Sequence, residues 1–123
     1  MARNAKSGSS RAAEYVKVYR FMTEGMGLTG TALLVYARIF GSCKGTGGSC
    51  WESRRGMAEF LGMNERQVNR DFRRIEEDGL IVCVGEWRLP NGRITKRYEV
   101  ADKPVRRALR AVVRRHDPTL FDP

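Results

Sequence analysis

Six polar side chains of the types that pair with DNA bases cluster within nine residues of this 123-residue chain. They are Arg66, Gln67, Asn69, Arg70, Arg73 and Arg74. Arginine can form two hydrogen bonds with guanine, and asparagine or glutamine can do so with adenine. At about 100° per residue, Arg66, Arg70 and Arg73 form one stripe of a helix, flanked by the other three. This spacing predicts a helix face that reads base edges in a major groove; the alternative is a solvated charged face.

A helix-turn-helix motif is predicted over residues 54–79. Its first helix carries apolar residues on one side, namely Met57, Ala58, Phe60 and Leu61. Gly62 follows where a left-handed residue ends a helix, and Asn64 with Gln67 forms a capping-box-like pair that starts the next helix. The second helix turns an apolar stripe towards the core, made of Val68, Phe72 and Ile75. Ala58, Gly62 and Val68 occupy the three positions that define such a motif.

A β-hairpin is predicted directly after this motif. Residues 80–87 and 94–100 are rich in β-formers, and Pro-Asn-Gly at 90–92 is a strong turn signal. The resulting order of elements is that of a winged helix. Candidate DNA contacts on the wing are Arg88, Arg93, Lys96 and Arg97, and those at the start of the first helix are Ser53, Arg54 and Arg55, with Ser53 as its N-cap. Alternatively, the wing charges only keep an exposed hairpin soluble.

Residues 12–26 carry two conflicting patterns. Apolar side chains recur at helical spacing, at Tyr15, Tyr19, Met22 and Met26. The β-rich run Tyr-Val-Lys-Val-Tyr at 15–19 favours an extended lead-in instead. Both interpretations stay open at this point.

A helix from Thr29 to Phe40 is predicted to be buried, because it is apolar nearly all round and Thr29 can cap it. One small domain hardly covers every side of such a helix, so we predict a dimer contact through it or through the preceding helix. The glycine-rich segment 41–49 is predicted to be a flexible loop, and residues 50–51 a short strand.

A second amphipathic pattern lies in the last stretch of the chain. Asp102 and Pro104 favour a helix start, and apolar residues then recur at helical spacing, at Val105, Ala108, Leu109, Val112 and Val113. Arginines cover the other side. This helix either docks on its own domain or serves as a dimer arm, a protein-binding surface or an extra phosphate contact; a membrane-surface role fits less well.

The net charge of +9 and the pI of about 10.1 indicate a polyanionic partner. Nucleic acid is the usual partner, and an anionic membrane is the less common one. Residues 1–11 carry +3 and residues 101–123 carry +3, so two thirds of the net charge is terminal. We predict a disordered basic arm over 1–11, a winged helix-turn-helix domain over 12–100, and a basic amphipathic helix and tail over 101–123.

Several classes of protein are disfavoured. No apolar run approaches the roughly 20 residues of a membrane span and no signal peptide is evident, so we expect a cytoplasmic protein without a membrane contact. Cys43, Cys50 and Cys83 form no CxxC pair, which predicts free thiols and, even with His116, argues against a zinc site. Segment 41–49 lacks the Gly-Lys-Ser/Thr end of a phosphate loop. We therefore expect no enzyme and no bound cofactor or metal.

The stretch over residues 15–81 resembles the winged helix-turn-helix proteins common on bacterial phages and plasmids. The resemblance rests on Val-Lys-Val-Tyr-Arg-Phe-Met, Leu-Thr-Gly-Thr-Ala-Leu-Leu-Val-Tyr-Ala-Arg-Ile, Gly-Gly-Ser-Cys-Trp-Glu-Ser and the motif ending Glu-Asp-Gly-Leu-Ile. Relatives of this kind include N-terminal domains of replication initiators, DnaD-like primosomal proteins and small transcriptional regulators. The resemblance implies a mainly α fold with a small β-hairpin (α+β), a double-stranded DNA partner, and recognition positions at Arg66, Gln67, Asn69, Arg70 and Arg73.

Three functions follow as hypotheses. The first is a homodimeric repressor of a bacterial mobile element or phage that occludes a promoter. Because little chain follows the predicted wing, a replication-initiation or primosome protein comes second. The third, from another class, is a winged-helix adaptor that binds or inhibits host machinery. Neutralising the arginine stripe distinguishes the adaptor from the DNA-binding hypotheses. An adaptor would still bind its protein partner, whereas a DNA reader would no longer bind its DNA site.

Overall fold

A helix, a short strand and a helix-turn-helix precede a β-hairpin and a last helix in this fold. The computed structural model describes residues 12–117. Its helices are α1 (Gly30–Ser42), α2 (Arg54–Leu61), α3 (Glu65–Glu77) and α4 (Asp102–His116), and its strands are β1 (Ser49–Cys50), β2 (Ile81–Arg88) and β3 (Ile94–Val100). A π-helical turn, Phe21–Gly25, precedes α1, and a 3-10 turn, Gly45–Gly47, follows it. The predicted α+β winged-helix class is confirmed, whereas the predicted basic arm lies outside the described residues.

The turn between α2 and α3 has the geometry that its residues predict. The Ser53 hydroxyl caps α2 by accepting a hydrogen bond from a backbone N–H at 2.8 Å. Gly62 ends α2 with a φ of 69°, which glycine adopts without a Cβ clash. Asn64 Oδ1 then accepts the Gln67 N–H at 2.8 Å and caps α3. The reciprocal bond of the predicted capping box does not form, because the Gln67 side chain donates to other side chains.

α1 lies in the hydrophobic core and packs mainly against α3. Its buried residues are Val35, Tyr36, Ala37 and Ile39. Only Gly30 and Gly41 of this helix are exposed, so elements of the same chain already cover most of it. We predicted a dimer contact because one domain would leave part of this helix uncovered. The described residues of the same chain already supply most of that cover. α1 also runs two residues further than predicted, and the predicted loop begins after Ser42.

The predicted helix over residues 12–26 forms only near its end. Residues 14–19 have no regular secondary structure, and the short turn Phe21–Gly25 follows them. The helical interpretation is therefore wrong for the β-rich run, which forms an irregular lead-in. Its β-branched valines lose side-chain freedom in a helix, while Phe21 and Met22 are buried and anchor the turn in the core.

β3 is the central strand of an antiparallel sheet with the order β1-β3-β2. β1 pairs Cys50 with Tyr98, and the predicted short strand is confirmed with a shift of one residue. β2 and β3 form the predicted hairpin. Between Cys83 and Gly85 the register shifts, so that Val84 is an extra residue in a β-bulge.

α4 packs on the π-helical turn through two small residues. A Cβ on Gly25 would lie 2.6 Å from the Cβ of Ala108, so only glycine allows this close approach. Val105 and Ala108 are buried, but Leu109 and Val113 of the predicted apolar stripe are 46% and 37% exposed. α4 therefore docks with one edge of its apolar face and leaves the other edge at the surface.

Glu24 joins these two elements by charge. Its Oε1 lies 2.7 Å from Nε2 of His116 and 3.7 Å from Nη1 of Arg115. Its Oε2 lies 3.1 Å from Nε of Arg20. The hydrogen bond from His116, aided by the charges of Arg20 and Arg115, lowers the pKa of the Glu24 carboxyl against the opposing effect of desolvation.

Candidate nucleic-acid interface

The two stripes of α3 separate in the structure as the helical projection predicts. Val68, Phe72 and Ile75 are at most 3% exposed and face the core. The opposite side exposes four arginines, which we call the α3 basic face: Arg66, Arg70, Arg73 and Arg74. Within residues 12–117 none of these guanidinium groups forms an ion pair with a carboxylate. Their positive charge is therefore presented to solvent.

The two amides predicted to read bases are engaged within the chain. Gln67 Nε2 donates to Thr31 Oγ1 at 3.2 Å and to the Asp71 carboxylate at 3.2 and 3.3 Å. Asn69 Oδ1 accepts from Arg54 Nη1 at 3.2 Å. Both side chains are half-buried, and Asp71 is only 6% exposed. Gln67 and Asn69 thus lie at the edge of the α3 basic face and help to position α3 on its neighbours.

Arg54, the first residue of α2, contacts α3 of the motif and β3 of the wing. Its guanidinium carbon lies 3.7 Å from the centre of the Phe72 ring, a cation–π geometry. Nη2 donates to the Tyr98 hydroxyl at 3.1 Å. Burial raises the pKa of the Tyr98 hydroxyl, and the charge of Arg54 opposes that shift. Arg54, predicted as a DNA contact, is in this structure a bridge between α2, α3 and β3.

The other two candidates at the start of α2 lie at the surface. Ser53 is exposed and its hydroxyl is used as the N-cap. The Arg55 side chain is 80% exposed and forms an ion pair of 3.6 Å with Glu59 one turn later. Such an exposed pair contributes little to stability, so Arg55 can exchange Glu59 for another anion.

The wing tip exposes Arg88 and Arg93 on either side of the predicted turn. Asn91 Oδ1 accepts the Arg93 N–H at 2.9 Å, and Gly92 has a φ of 88°. These features fix a tight turn of the kind that Asn-Gly favours. The tip therefore carries two guanidinium groups on a defined backbone.

The two cations at the base of the wing both contact other side chains of the protein. Lys96 Nζ lies 3.8 Å from Oε1 of Glu86 on the paired strand. The guanidinium carbon of Arg97 lies 4.6 Å from the centre of the Trp51 ring and 4.9 Å from the centre of the Trp87 ring. The Nε of Arg97 is buried and has no hydrogen-bond partner within the described residues. Of the four predicted wing contacts, Arg97 is therefore held by its surroundings, Lys96 forms an exposed ion pair, and the two at the tip are unconstrained.

Gly85 makes the stacking on Arg97 sterically feasible, a role that sequence reasoning missed. Gly85 pairs with Arg97 across the hairpin. A Cβ at Gly85 would lie 2.7 Å from the Trp87 ring, so glycine alone leaves room for the indole to fold towards Arg97. The sequence signal for this role is a glycine that lies two residues before a tryptophan on a predicted strand.

Residues 12–117 contain no group of three or more His, Cys, Asp or Glu side chains placed to hold a metal ion. His116 of α4 contacts Glu24 of the π-helical turn. The Cys43 and Cys50 sulfurs contact each other, and Cys83 Sγ lies 3.5 Å from a backbone carbonyl. None of the helices described over the same range is long and apolar enough to cross a membrane.

Two solved structures have a similar fold. One is described as a possible transcriptional regulator from Methanosarcina mazei Go1; it is 16% identical, covers 89% of this chain and 90% of its own, and has a TM-score of 0.54. The other is described as an N-terminal domain of a DNA binding protein; it is 15% identical, covers 94% of this chain and 95% of its own, and has a TM-score of 0.51. At these identities the likeness shows a shared fold. No protein-family model and no curated protein matches the chain.

Proposed function

We propose that this chain binds double-stranded DNA sequence-specifically and inserts α3 into the major groove. The observation that carries the proposal is the α3 basic face, whose arginines are exposed and not neutralised within the described residues. An α-helix fits the width of a major groove, and arginine is the side chain that most often reads guanine there. Charged residues opposite a buried stripe also occur on helices that are merely solvated. These arginines, however, lie on the second helix of a helix-turn-helix, which is the element that enters the groove in such motifs.

The wing and the start of α2 supply contacts to the sugar–phosphate backbone in this proposal. Arg88 and Arg93 at the wing tip are free to reach a phosphate or an adjacent minor groove. Ser53 and Arg55 lie where α2 begins, and backbone contacts from that position fix the register of α3 on the duplex. Arg54 and Arg97 act through positioning, since each guanidinium stacks on aromatic rings of the protein. Lys96 is held only by an exposed ion pair with Glu86, so it can exchange Glu86 for a phosphate.

The finer role that we propose is a small transcriptional regulator, a repressor of a bacterial mobile element or phage that occludes its promoter. The resemblance of residues 15–81 to winged helix-turn-helix proteins of phages and plasmids supports this role. One structural neighbour is described as a possible transcriptional regulator, which points in the same direction.

We also propose that the regulator is a homodimer joined through α4. Leu109 and Val113 lie one helical turn apart, remain exposed, and border the buried edge formed by Val105 and Ala108. A second copy would cover them, and a symmetric dimer would offer one α3 helix to each half-site of an operator.

Selection of binding sites from random duplexes, followed by affinity measurements on the selected site, tests the proposal. Arg70→Ala and Arg73→Ala should each weaken specific binding by about 1–3 kcal/mol and leave the melting temperature unchanged. Lys17→Ala is the matched control, because it removes one exposed positive charge from the N-terminal lead-in. If the double arginine variant binds the selected site as well as the wild type, α3 does not read DNA and the adaptor hypothesis gains.

A further inference from the structure

Two cysteine thiols are in direct contact at the junction of α1 and β1. The Sγ atoms of Cys43 and Cys50 lie 2.6 Å apart. Cys43 is 1% exposed at the end of α1, and Cys50 is half-buried on β1. Nonbonded heavy atoms normally approach to about 3.5–4.0 Å, and a disulfide bond is about 2.05 Å long. The two sulfurs thus lie nearer to bonding distance than to ordinary contact.

The backbone around this pair holds the sulfurs together without a bond. Cys43 Sγ lies 3.5 Å from the Tyr98 carbonyl oxygen, and Cys50 Sγ lies 3.9 Å from the Ile39 carbonyl oxygen. The connecting segment reverses direction at Lys44, whose φ is 56°. A Cβ on Gly48 would lie 2.5 Å from the Cys43 carbonyl oxygen, so glycine is required where the segment returns. The fold therefore brings the two thiols together before any oxidation.

We propose that Cys43 and Cys50 are a reversible disulfide site that low-molecular-weight disulfides oxidise. The Cys50 thiolate attacks one sulfur of the small disulfide and expels a thiolate, which gives a mixed disulfide on Cys50. The Cys43 thiol then loses its proton, attacks the Cys50 sulfur and expels the second thiolate. Two electrons pass from the two cysteines to the small disulfide, and two protons are released. The inference does not depend on DNA binding.

The order of attack follows from the surroundings of each sulfur. Cys50 is the more exposed of the two, so an external disulfide reaches it first. The hydrogen bond from Cys43 lowers the pKa of Cys50, and the nearby charge of Arg38 acts in the same direction. The same hydrogen bond and burial raise the pKa of Cys43. In the mixed disulfide Cys50 is no longer a thiolate, so the main cause of the raised pKa of Cys43 is removed. Cys43 already lies against the Cys50 sulfur, which places it for the second, intramolecular attack.

Oxidation should stabilise the fold and leave the α3 basic face unchanged. The disulfide would close a ring over residues 43–50 and join α1 to β1, which pairs with β3. Cross-linking a loop of this length restricts the unfolded chain, and for a domain of this size we expect the melting temperature to rise by on the order of 10 °C. The redox state of the solution would then set the stability of the protein.

Incubation of the native protein with excess glutathione disulfide tests the inference. The intact mass should fall by two hydrogens, and a peptide map should join the Cys43 peptide to the Cys50 peptide. Cys83→Ser is the matched control and should keep both the disulfide and the rise in melting temperature, whereas Cys43→Ser and Cys50→Ser should lose both. A native wild-type protein that retains three free thiols, stops at a glutathione adduct on Cys50, or links Cys83 overturns the proposal. That mass measurement needs no variant, so a poorly folding substitution does not obscure it.

Discussion

The guanidinium of Arg54 stacks on the ring of Phe72, 3.7 Å from its centre, so that the first residue of α2 holds the middle of α3. The same guanidinium donates to Asn69 and to Tyr98. One side chain thus fixes α3 relative to both α2 and the wing, and the angle at which the α3 basic face meets a groove depends on it.

We expect Arg54→Ala to lower the free energy of unfolding by about 1–3 kcal/mol, because it removes a cation–π contact and two charge-assisted hydrogen bonds. Arg55→Ala, next along the helix, should change it by less than about 0.5 kcal/mol, because that side chain is 80% exposed. Urea denaturation measures both. Equal losses in the two variants would contradict the bridging role of Arg54.

Val68→Asp should unfold the domain. Val68 is fully buried between α3 and its neighbours, and an unpaired carboxylate there costs several kcal/mol, comparable with the whole stability of a small domain. Arg66→Asp places the same charge on the exposed side of the same helix and should melt cooperatively. Circular dichroism during heating distinguishes the two variants. A cooperative transition in Val68→Asp would contradict the assignment of residues 54–79 as a helix-turn-helix.

Gly25→Ala should weaken the docking of α4. The added Cβ would lie 2.6 Å from both the Cβ and the carbonyl oxygen of Ala108, and relieving that overlap should cost about 1–3 kcal/mol. Gly41→Ala is the matched control, because nothing lies within 4 Å of its Cβ position and alanine should stabilise α1 by about 0.5–1 kcal/mol. Thermal melts should therefore move in opposite directions. A Gly25→Ala protein as stable as the wild type would contradict this prediction, because α4 would then have moved away from the added Cβ without any loss of stability.

Leu109→Glu combined with Val113→Glu should convert the proposed dimer to a monomer. The two carboxylates would face their own copies across the interface, where like charges repel and burial is costly. Ala111→Glu adds a charge to another exposed position of α4 and should leave the dimer intact. Light scattering after size exclusion gives the molar mass. A wild type with the mass of one chain, or a double variant with the mass of two, would refute the α4 interface.

The helix-turn-helix and the hairpin could be predicted because they depend on short-range signals. The caps at Ser53 and Asn64 and the left-handed turn at Gly62 act over a few residues. The apolar stripe of α3 repeats along a single helix, so its burial follows from period alone. The turn at 90–92 is equally local. These signals need no knowledge of what packs against each element.

The partners that polar residues find within the fold could not be predicted in the same way. Gln67 and Asn69 match the chemistry of base recognition, but their partners Thr31 and Arg54 lie 36 and 15 residues away in sequence. The stacking of Arg97 likewise depends on a strand register that the bulge shifts. Such contacts are set by tertiary packing, and residue type and spacing do not specify it. The α3 arginines were predictable as exposed because the stripe opposite them had to be buried.

The bulge at Val84 also governs how separate molecules meet. β2 is an edge strand of the described sheet, and its backbone groups on the outer side are available to another strand. A regular edge that includes Val82 and Trp87, both partly exposed, would invite the same strand of a second molecule to pair with it. The extra residue breaks the even spacing of N–H and C=O groups, so two such edges cannot match along their length. A single backbone irregularity thereby opposes edge-to-edge association of two molecules at high protein concentration.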